Sequence, residues 1–454
     1  MDAPDGLPVP QRYWAMLTVA LAITMAVLDG AIANVALPTI ATDVHASPAD
    51  SIWVVNAYQL VITISLLPFA SLGERYGYHR IYQMGLAVFT LGSLGCALSG
   101  SLVTLTAARV LQGIGAAGIM SVNGALVRYI YPRSQLGRGI GLNALLVAVS
   151  SAVGPTVAAG ILSVASWPWL FAVNVPIGVV AFAIAARSLP VNPHSNQRFD
   201  VASAGLNALT LGLLITGIDG LGHGESHGIE IAELMLALGA GTLLVRRQLT
   251  LASPLLPVDL LRIPVFRLSV ATSVCSFAAQ MLAYVALPFY FQDTLGRGEV
   301  ATGLLMTPWP LTTAAIAPIA GRLADRHSSG VLGGIGLAAL AAGLGLLAVL
   351  PAHPAAFDIV WRMAICGFGF GLFQSPNNRT MIASAPRERS GGASGMLATA
   401  RLLGQTTGAA LVALLFGLYP KHGSTLALAL AACVAAVAAG VSCLRVRHQM
   451  RAAV

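Results

Sequence analysis

The sequence contains very little charge. Only 9% of its 454 residues are Asp, Glu, Lys or Arg, whereas 56% are hydrophobic. A soluble domain is about 25% charged, so this chain lacks the charge that a surface in water needs. Intrinsic disorder is excluded as well, because it requires low hydrophobicity and high net charge. The composition therefore predicts an all-α polytopic membrane protein.

Lysine and cysteine are also scarce. The 25 basic residues comprise 24 Arg and Lys421, and they are spread along the chain. The net charge of +8 therefore does not indicate a nucleic-acid partner. The five cysteines show no CxxC spacing, and the nine histidines form no HExxH pattern. We expect neither a disulfide framework nor a metal site.

Fourteen stretches are long and apolar enough to span a membrane, since a spanning helix needs about 20 mostly apolar residues. Their approximate limits are 13–37, 52–71, 81–99, 103–126, 139–162, 170–189, 202–218, 229–245, 268–291, 300–320, 330–350, 358–382, 392–418 and 424–444. An even number of spans places both termini on one side. If that side is the cytoplasm, 20 of the 25 basic residues lie in cytoplasmic segments, as the positive-inside rule requires.

Similar features recur about 250 residues apart and indicate two related halves. The recurring pairs are Glu74 and Asp325, Arg109 and Arg362, and Gly154 and Gly408. Repeated bundles around a central path are typical of transporters. We predict a six-helix bundle over 1–189, two extra transmembrane helices and a cytoplasmic linker over 190–265, and a second six-helix bundle over 266–454.

Two segments of the first half carry a resemblance to a known family. The sequence LDGAIANVALP at 28–38, with WVVNAY at 53–58, resembles a first-helix signature, and LTAARVLQGIGAA at 105–117 matches a fourth-helix motif in full. The chain resembles the major facilitator superfamily, and within it the drug–proton antiporters with fourteen spans. The resemblance implies the major facilitator fold, with two six-helix bundles plus two additional helices.

Asp29 and Arg109 are the candidate proton-coupling residues. Asp29 is a lone carboxylate in a long apolar helix, where charge is costly and usually functional. Burial disfavours the ionised carboxylate and a nearby cation favours it, so such a site could load and release protons. The resemblance ties Arg109 to this coupling. The alternatives are a water-exposed Asp29 near a helix end and an Arg109 that only holds helices together.

Seven residues are candidates for substrate binding, on the resemblance and on their polar or aromatic character within spans. They are Asp29, Asn34, Tyr58, Gln112, Trp309, Phe373 and Arg401. An aromatic pocket would suit flat cations. Aromatic side chains within spans more often pack against other helices or face lipid, and that alternative stays open.

Two loops and the fifth span resemble further family motifs. The loops imply a cytoplasmic gate that latches through charge pairs, formed by Glu74, Arg75, Gly77, Arg80, Gly321, Asp325 and Arg326. The alternative is a pair of solvated turns that only set orientation.

The fifth span resembles the antiporter motif, carried by Gly141, Ser150, Gly154 and Pro155. Small residues permit close helix contact, and Pro155 can kink the helix.

The sequence predicts a proton-coupled multidrug efflux antiporter of a bacterial inner membrane. It would export hydrophobic, cationic small molecules, such as quaternary ammonium compounds, dyes and biocides, by alternating access. Exporters of a metabolite, lipid or siderophore and a non-transporting sensor are the alternatives. No HExxH motif is present, and we do not expect an enzyme. We expect a monomer that uses protons as the coupling ion, needs no cofactor, and has small-molecule substrates and the lipid bilayer as partners.

Overall fold

The computed structural model describes residues 6–191, 199–222, 227–251, 254, 256–386 and 389–452. The basic residues Arg198 and Arg387, which count among the predicted cytoplasmic charges, lie outside these ranges. The described chain is helical, and its long helices are α1 (Gln11–Asp43), α2 (Pro48–Tyr76), α3 (Tyr78–Ala97), α4 (Leu102–Ile130), α5 (Leu136–Leu162), α6 (Trp169–Ser188), α7 (Val201–Gly220), α8 (Gly228–Thr250), α9 (Pro264–Thr294), α10 (Glu299–Leu323), α11 (Ser329–Ala348), α12 (Ala356–Ser384), α13 (Ser390–Leu418) and α14 (Gly423–Ala452).

Each of the fourteen predicted spans corresponds to one of these helices. Thirteen are long and apolar enough to cross a membrane. The exception is α3, which begins with the polar sequence YHR and packs against α4 and α6. The helix α1 continues past Pro38 to Asp43, beyond the predicted end at 37. The structure therefore confirms an all-helical membrane fold and extends some helix ends.

Among the described residues, the two halves share an extensive hydrophobic core at one end of the molecule. We call the end where α1 begins and α14 ends the termini side, and the opposite end the far side. On the far side, Ile32 and Leu37 of α1 belong to the same buried cluster as Phe291 and Met306 of the second half. The two halves are thus packed together on the far side.

On the termini side, the core divides into separate clusters. One cluster contains Met16 and Leu86 of the first half, and among the described residues Leu402 of α13 is its one buried member from the second half. Another cluster contains Phe266 and Met381 and is confined to the second half and the segment before it. The conformation is therefore closed on the far side and less tightly joined on the termini side.

The extra helices α7 and α8 pack against each other as an antiparallel pair. The Asn207 side chain of α7 donates a hydrogen bond to the Ile64 carbonyl of α2, at 3.3 Å. At the other end, Gly222 lies against Leu414 of α13. The indole of Trp53 donates to Asp219 of α7 at 2.8 Å. The pair is therefore attached to both halves through α2 and α13.

Candidate functional site

Asp29 lies at the centre of a buried polar cluster in the first half. Only 2% of its surface is exposed. Its Oδ1 atom accepts hydrogen bonds from Gln112 Nε2 at 2.8 Å and from Asn174 Nδ2 at 3.0 Å. Its Oδ2 atom pairs with the Arg109 guanidinium. Three donors thus surround a single carboxylate, and both of its oxygens are engaged by other side chains of the first half.

Arg109 is fully buried and connects several elements. Its Nε donates to the Val54 carbonyl of α2 at 2.8 Å, and its Nη1 donates to Gln112 Oε1 at 2.6 Å. The guanidinium lies over the Tyr58 ring, 4.0 Å from its centroid. The Tyr58 hydroxyl donates in turn to the Ala26 carbonyl of α1 at 2.9 Å. The ion pair thereby ties α1, α2 and α4 together.

Glycine on α3 and helical spacing on α4 allow this cluster to form. Arg109 and Gln112 are three residues apart, so they share one face of α4. A Cβ atom at Gly92 of α3 would lie 2.6 Å from the Gln112 backbone, so α3 approaches α4 closely only because this residue is glycine. That approach lets Ser93 accept a hydrogen bond from Gln112 Nε2 at 2.9 Å.

Two members of the cluster were absent from the sequence prediction. Asn174 of α6 is 3% exposed and bonds to Asp29, and Ser93 of α3 is fully buried and bonds to Gln112. Asn174 is an amide in an otherwise apolar span, which is a signal that sequence reasoning could have used. Ser93 has no such signal, because serine is common in spans and can bond to its own helix.

The other predicted substrate residues lie apart from this cluster. Asn34 is buried in α1, where its amide donates to the Gly30 carbonyl of the same helix at 3.2 Å. Trp309 is fully buried and packs edge-to-face against Tyr284, with centroids 5.0 Å apart. Phe373 is buried in α12. Arg401 lies on α13, half-buried. The structure brings Asp29, Tyr58, Arg109 and Gln112 together and places the rest elsewhere.

The predicted gate residues lie at the termini side. Glu74, Arg75 and Arg80 are exposed around the turn between α2 and α3. Gly77 has a φ of +105°, in the region that favours glycine, so it permits this tight turn.

In the second half, Asp325 pairs with Arg379 of α12, and both side chains are more than half exposed. Gly321 lies near the Ser375 hydroxyl, and Arg326 is exposed. This charge pair therefore joins elements of one half and does not cross between the halves.

The antiporter-motif residues of α5 lie along contacts with both halves. A Cβ atom at Gly154 would lie 2.5 Å from the Ala31 Cβ atom of α1. A Cβ atom at Gly303 of α10 would lie 2.6 Å from the Pro155 carbonyl oxygen. Ser150 donates to the Thr24 hydroxyl at 3.2 Å. Gly141 is exposed, with open space around it. The helix α5 therefore packs on α1 and reaches α10 in the second half.

Comparison with known sequences agrees with this architecture. The family description of the Major Facilitator Superfamily matches residues 19–409. The chain belongs to the major facilitator superfamily. The two packed halves, the buried Asp29–Arg109 pair and the helix contacts of α5 are therefore features of a major facilitator transporter.

Several relatives are transporters as well. The chain is 62% identical to "Uncharacterized transporter YebQ" of Escherichia coli (strain K12) over 97% of both chains. It is 30% identical to "Riboflavin transporter RibZ" of Clostridioides difficile, over 89% of this chain and 88% of the relative. It is 28% identical to "Multidrug efflux pump LfrA" of Mycolicibacterium smegmatis, over 91% of this chain and 82% of the relative.

A solved structure supports the same fold. The chain superimposes on a bacterial homologue of the human lysosomal transporter Spinster, in an inward-facing and unoccupied conformation, with a TM-score of 0.71. The match covers 97% of this chain and 98% of that chain, at 14% sequence identity. At this identity the likeness shows the major facilitator fold alone.

Proposed function

We propose that this major facilitator transporter is a proton-coupled antiporter that exports hydrophobic small molecules by alternating access. The observation that carries the proposal is the buried ion pair between Asp29 and Arg109. A proton on Asp29 removes the charge that holds Arg109, and the guanidinium then needs other acceptors. Because Arg109 also bonds to Val54, a change at Asp29 is transmitted to the packing of α1, α2 and α4.

The division of the core supports alternating access. The halves share a core on the far side and have largely separate cores on the termini side. A rocking motion of the halves would exchange these two arrangements, as in repeated-bundle transporters. The gate charges Glu74 and Arg75 are exposed here, so the expected latch would engage in the opposite conformation.

The proposed location is a bacterial inner membrane, with both termini in the cytoplasm. The distribution of basic residues supports this orientation, because 20 of 25 would then lie in cytoplasmic segments. The termini side would be the cytoplasmic side, and the transporter would be open toward the cytoplasm in this conformation. We propose a monomer that uses protons and no other cofactor.

The relatives support export of drug-like molecules, since one of them is named a multidrug efflux pump. Membership of the drug–proton antiporters with fourteen spans remains part of this proposal. The riboflavin transporter among the relatives favours a second candidate, a transporter of a flat metabolite. A panel of cationic dyes, organic anions and riboflavin, each tested for uptake in proteoliposomes, separates these candidates.

The coupling role of Asp29 is tested by transport into inside-out proteoliposomes under an imposed pH gradient. Asp29→Asn should abolish uphill transport and leave exchange at equal concentrations intact, because the neutral amide cannot carry a proton. The matched control is Asp358→Asn, which also removes an acid paired with an arginine in a span, Arg362. Uphill transport by Asp29→Asn at the wild-type rate would refute the coupling mechanism.

A further inference from the structure

Arg401 lies on the part of α13 that faces the interior between the halves. Successive residues of an α-helix are about 100° apart around its axis. Gly404 touches α9, because a Cβ there would lie 2.5 Å from the Val274 carbonyl. Thr406 faces α2 and lies 3.1 Å from the Thr63 hydroxyl. Gly408 likewise touches α9, because a Cβ there would lie 2.5 Å from the Ala278 carbonyl, and Leu402 is buried in the cluster of the first half. Gly408 lies about 20° to one side of Arg401 and Leu402 about 100° to the other, so Arg401 points between α9 and the first half.

The Arg401 guanidinium has no protein partner in the part of the chain that the structure describes. Its Nε atom is buried and makes no hydrogen bond. The five ion pairs between described residues do not include it. A cation within a span is costly unless it is paired or faces a polar cavity. This guanidinium is therefore available to a ligand.

Asp29 cannot supply a negative charge to the same space. Its carboxylate is 1% exposed and already accepts three hydrogen bonds. Tyr58 lies beside Asp29 and is five residues from Thr63 along α2, in the direction of the far side. Arg401 is five residues from Thr406 along α13, in the direction of the termini side. Arg401 thus lies about 15 Å nearer the termini side, at a rise of 1.5 Å per residue.

We propose that Arg401 binds an anionic group of the transported molecule, so that the substrate class is hydrophobic organic anions. This inference rests on the proposed transport function. Arginine presents a planar fork of hydrogen-bond donors that suits a carboxylate. The buried Nε atom of Arg401 gains a hydrogen-bond partner only when such a group is bound. The proton at Asp29 and the substrate anion at Arg401 then occupy separate sites, and they interact through helix movement instead of competing for one carboxylate.

This assignment differs from the cationic cargo that the sequence predicts. That prediction relied on Asp29 as an acceptor for a cation, and in this conformation Asp29 is occupied by Arg109. The aromatic residues Trp309 and Phe373, which were expected to bind flat cations, are buried within the second half. Arg401, by contrast, brings a positive charge without a protein partner among the described residues.

The test uses two dyes that share a xanthene ring system and differ in charge. Binding of fluorescein, an anion at neutral pH, and of rhodamine 123, a cation, is measured by fluorescence anisotropy with the full-length protein in an uncharged detergent. Fluorescein should bind more tightly than rhodamine 123. Arg401→Gln should weaken fluorescein binding about tenfold or more without weakening rhodamine 123, and Arg401→Lys should retain part of the affinity.

Arg362→Gln provides the matched control, because it removes another arginine of a span that already pairs with Asp358. It should leave the preference for fluorescein unchanged. Tighter binding of rhodamine 123, binding of neither dye, or an unchanged preference in Arg401→Gln would overturn the proposal. Transport of fluorescein in proteoliposomes tests the proposed function separately: binding without flux driven by the pH gradient refutes the coupling and leaves the anion preference standing.

Discussion

At the scale of single residues, the Asp29–Arg109 pair depends on partners that no single motif contains. The motif at 105–117 predicted the importance of Arg109 and Gln112, and the motif at 28–38 predicted that of Asp29. The contribution of Asn174 was not predicted, because it comes from a helix about 145 residues away along the chain. Sequence patterns reveal costly residues within a span, but the donors that compensate them depend on how the helices pack.

Removing one partner of the buried pair should be more damaging than removing both charges. Asp29→Asn or Arg109→Gln alone leaves a buried charge uncompensated, which costs about 3–5 kcal/mol. The double variant should lose clearly less than the sum of the two single losses. Thermal unfolding of the four proteins in detergent, analysed as a double-mutant cycle, provides the measurement. Additive losses would show that the two side chains do not interact energetically.

Asn174 should act as a positioning residue for Asp29. Asn174→Ala removes one of the two hydrogen bonds to Oδ1, and a bond to a charged group contributes about 1.5–3 kcal/mol. We expect transport driven by a pH gradient to fall at least tenfold. The matched control is Asn207→Ala, which removes a buried amide of α7 that bonds to a backbone carbonyl. Equal losses in the two variants would assign Asn174 a merely structural role.

At the scale of helices, α5 of the first half packs closely against a glycine of α10 in the second half. Gly303 lies against the Pro155 carbonyl and the Ala159 side chain. Small residues allow such an approach within a membrane. The small residues Ser150, Gly154 and Ala158, four apart on α5, predicted a close helix contact. They did not predict which helix makes that contact, because the sequence cannot show which helices of two bundles meet.

Gly303→Ala should push α5 and α10 apart on the far side. The added Cβ would lie 2.6 Å from a backbone oxygen, so the closed far side becomes less favourable. In a cysteine-free background, maleimide labelling of Thr39→Cys, a far-side residue near Gln292, should then become about tenfold faster. Gly160→Ala, on a glycine of α5 with open space around it, should leave the labelling rate unchanged. Equal rates in both backgrounds would contradict this view of the contact.

At the scale of the whole molecule, the arrangement of the two halves was only partly predictable. Composition and span count predicted the helical membrane fold, and the fourteen helices confirm it. The conformational state was not predictable, because opposite states share one sequence and differ only in contacts between the halves. Those contacts include Thr156 of α5 and Thr307 of α10, whose hydroxyl oxygens are 2.8 Å apart.

A disulfide across this contact should lock the protein closed on the far side. Thr156→Cys with Thr307→Cys, in a cysteine-free background, should cross-link under mild oxidation because the two side chains already touch. Transport should stop on oxidation and return on reduction, since rocking requires the halves to part here. Each single cysteine variant should keep its transport under the same oxidation. Full transport by the cross-linked protein would mean that this contact persists throughout the cycle.

The extra helices affect the route by which a hydrophobic molecule reaches the space between the two halves. Because α7 contacts both α2 and α13, it covers that flank of the junction between the halves against lipid. On the opposite flank, Leu142 and Leu145 of α5 are exposed in the described structure. A molecule dissolved in the leaflet nearer the termini would therefore approach from the α5 flank, so that the transporter has a front and a back within the plane of the bilayer.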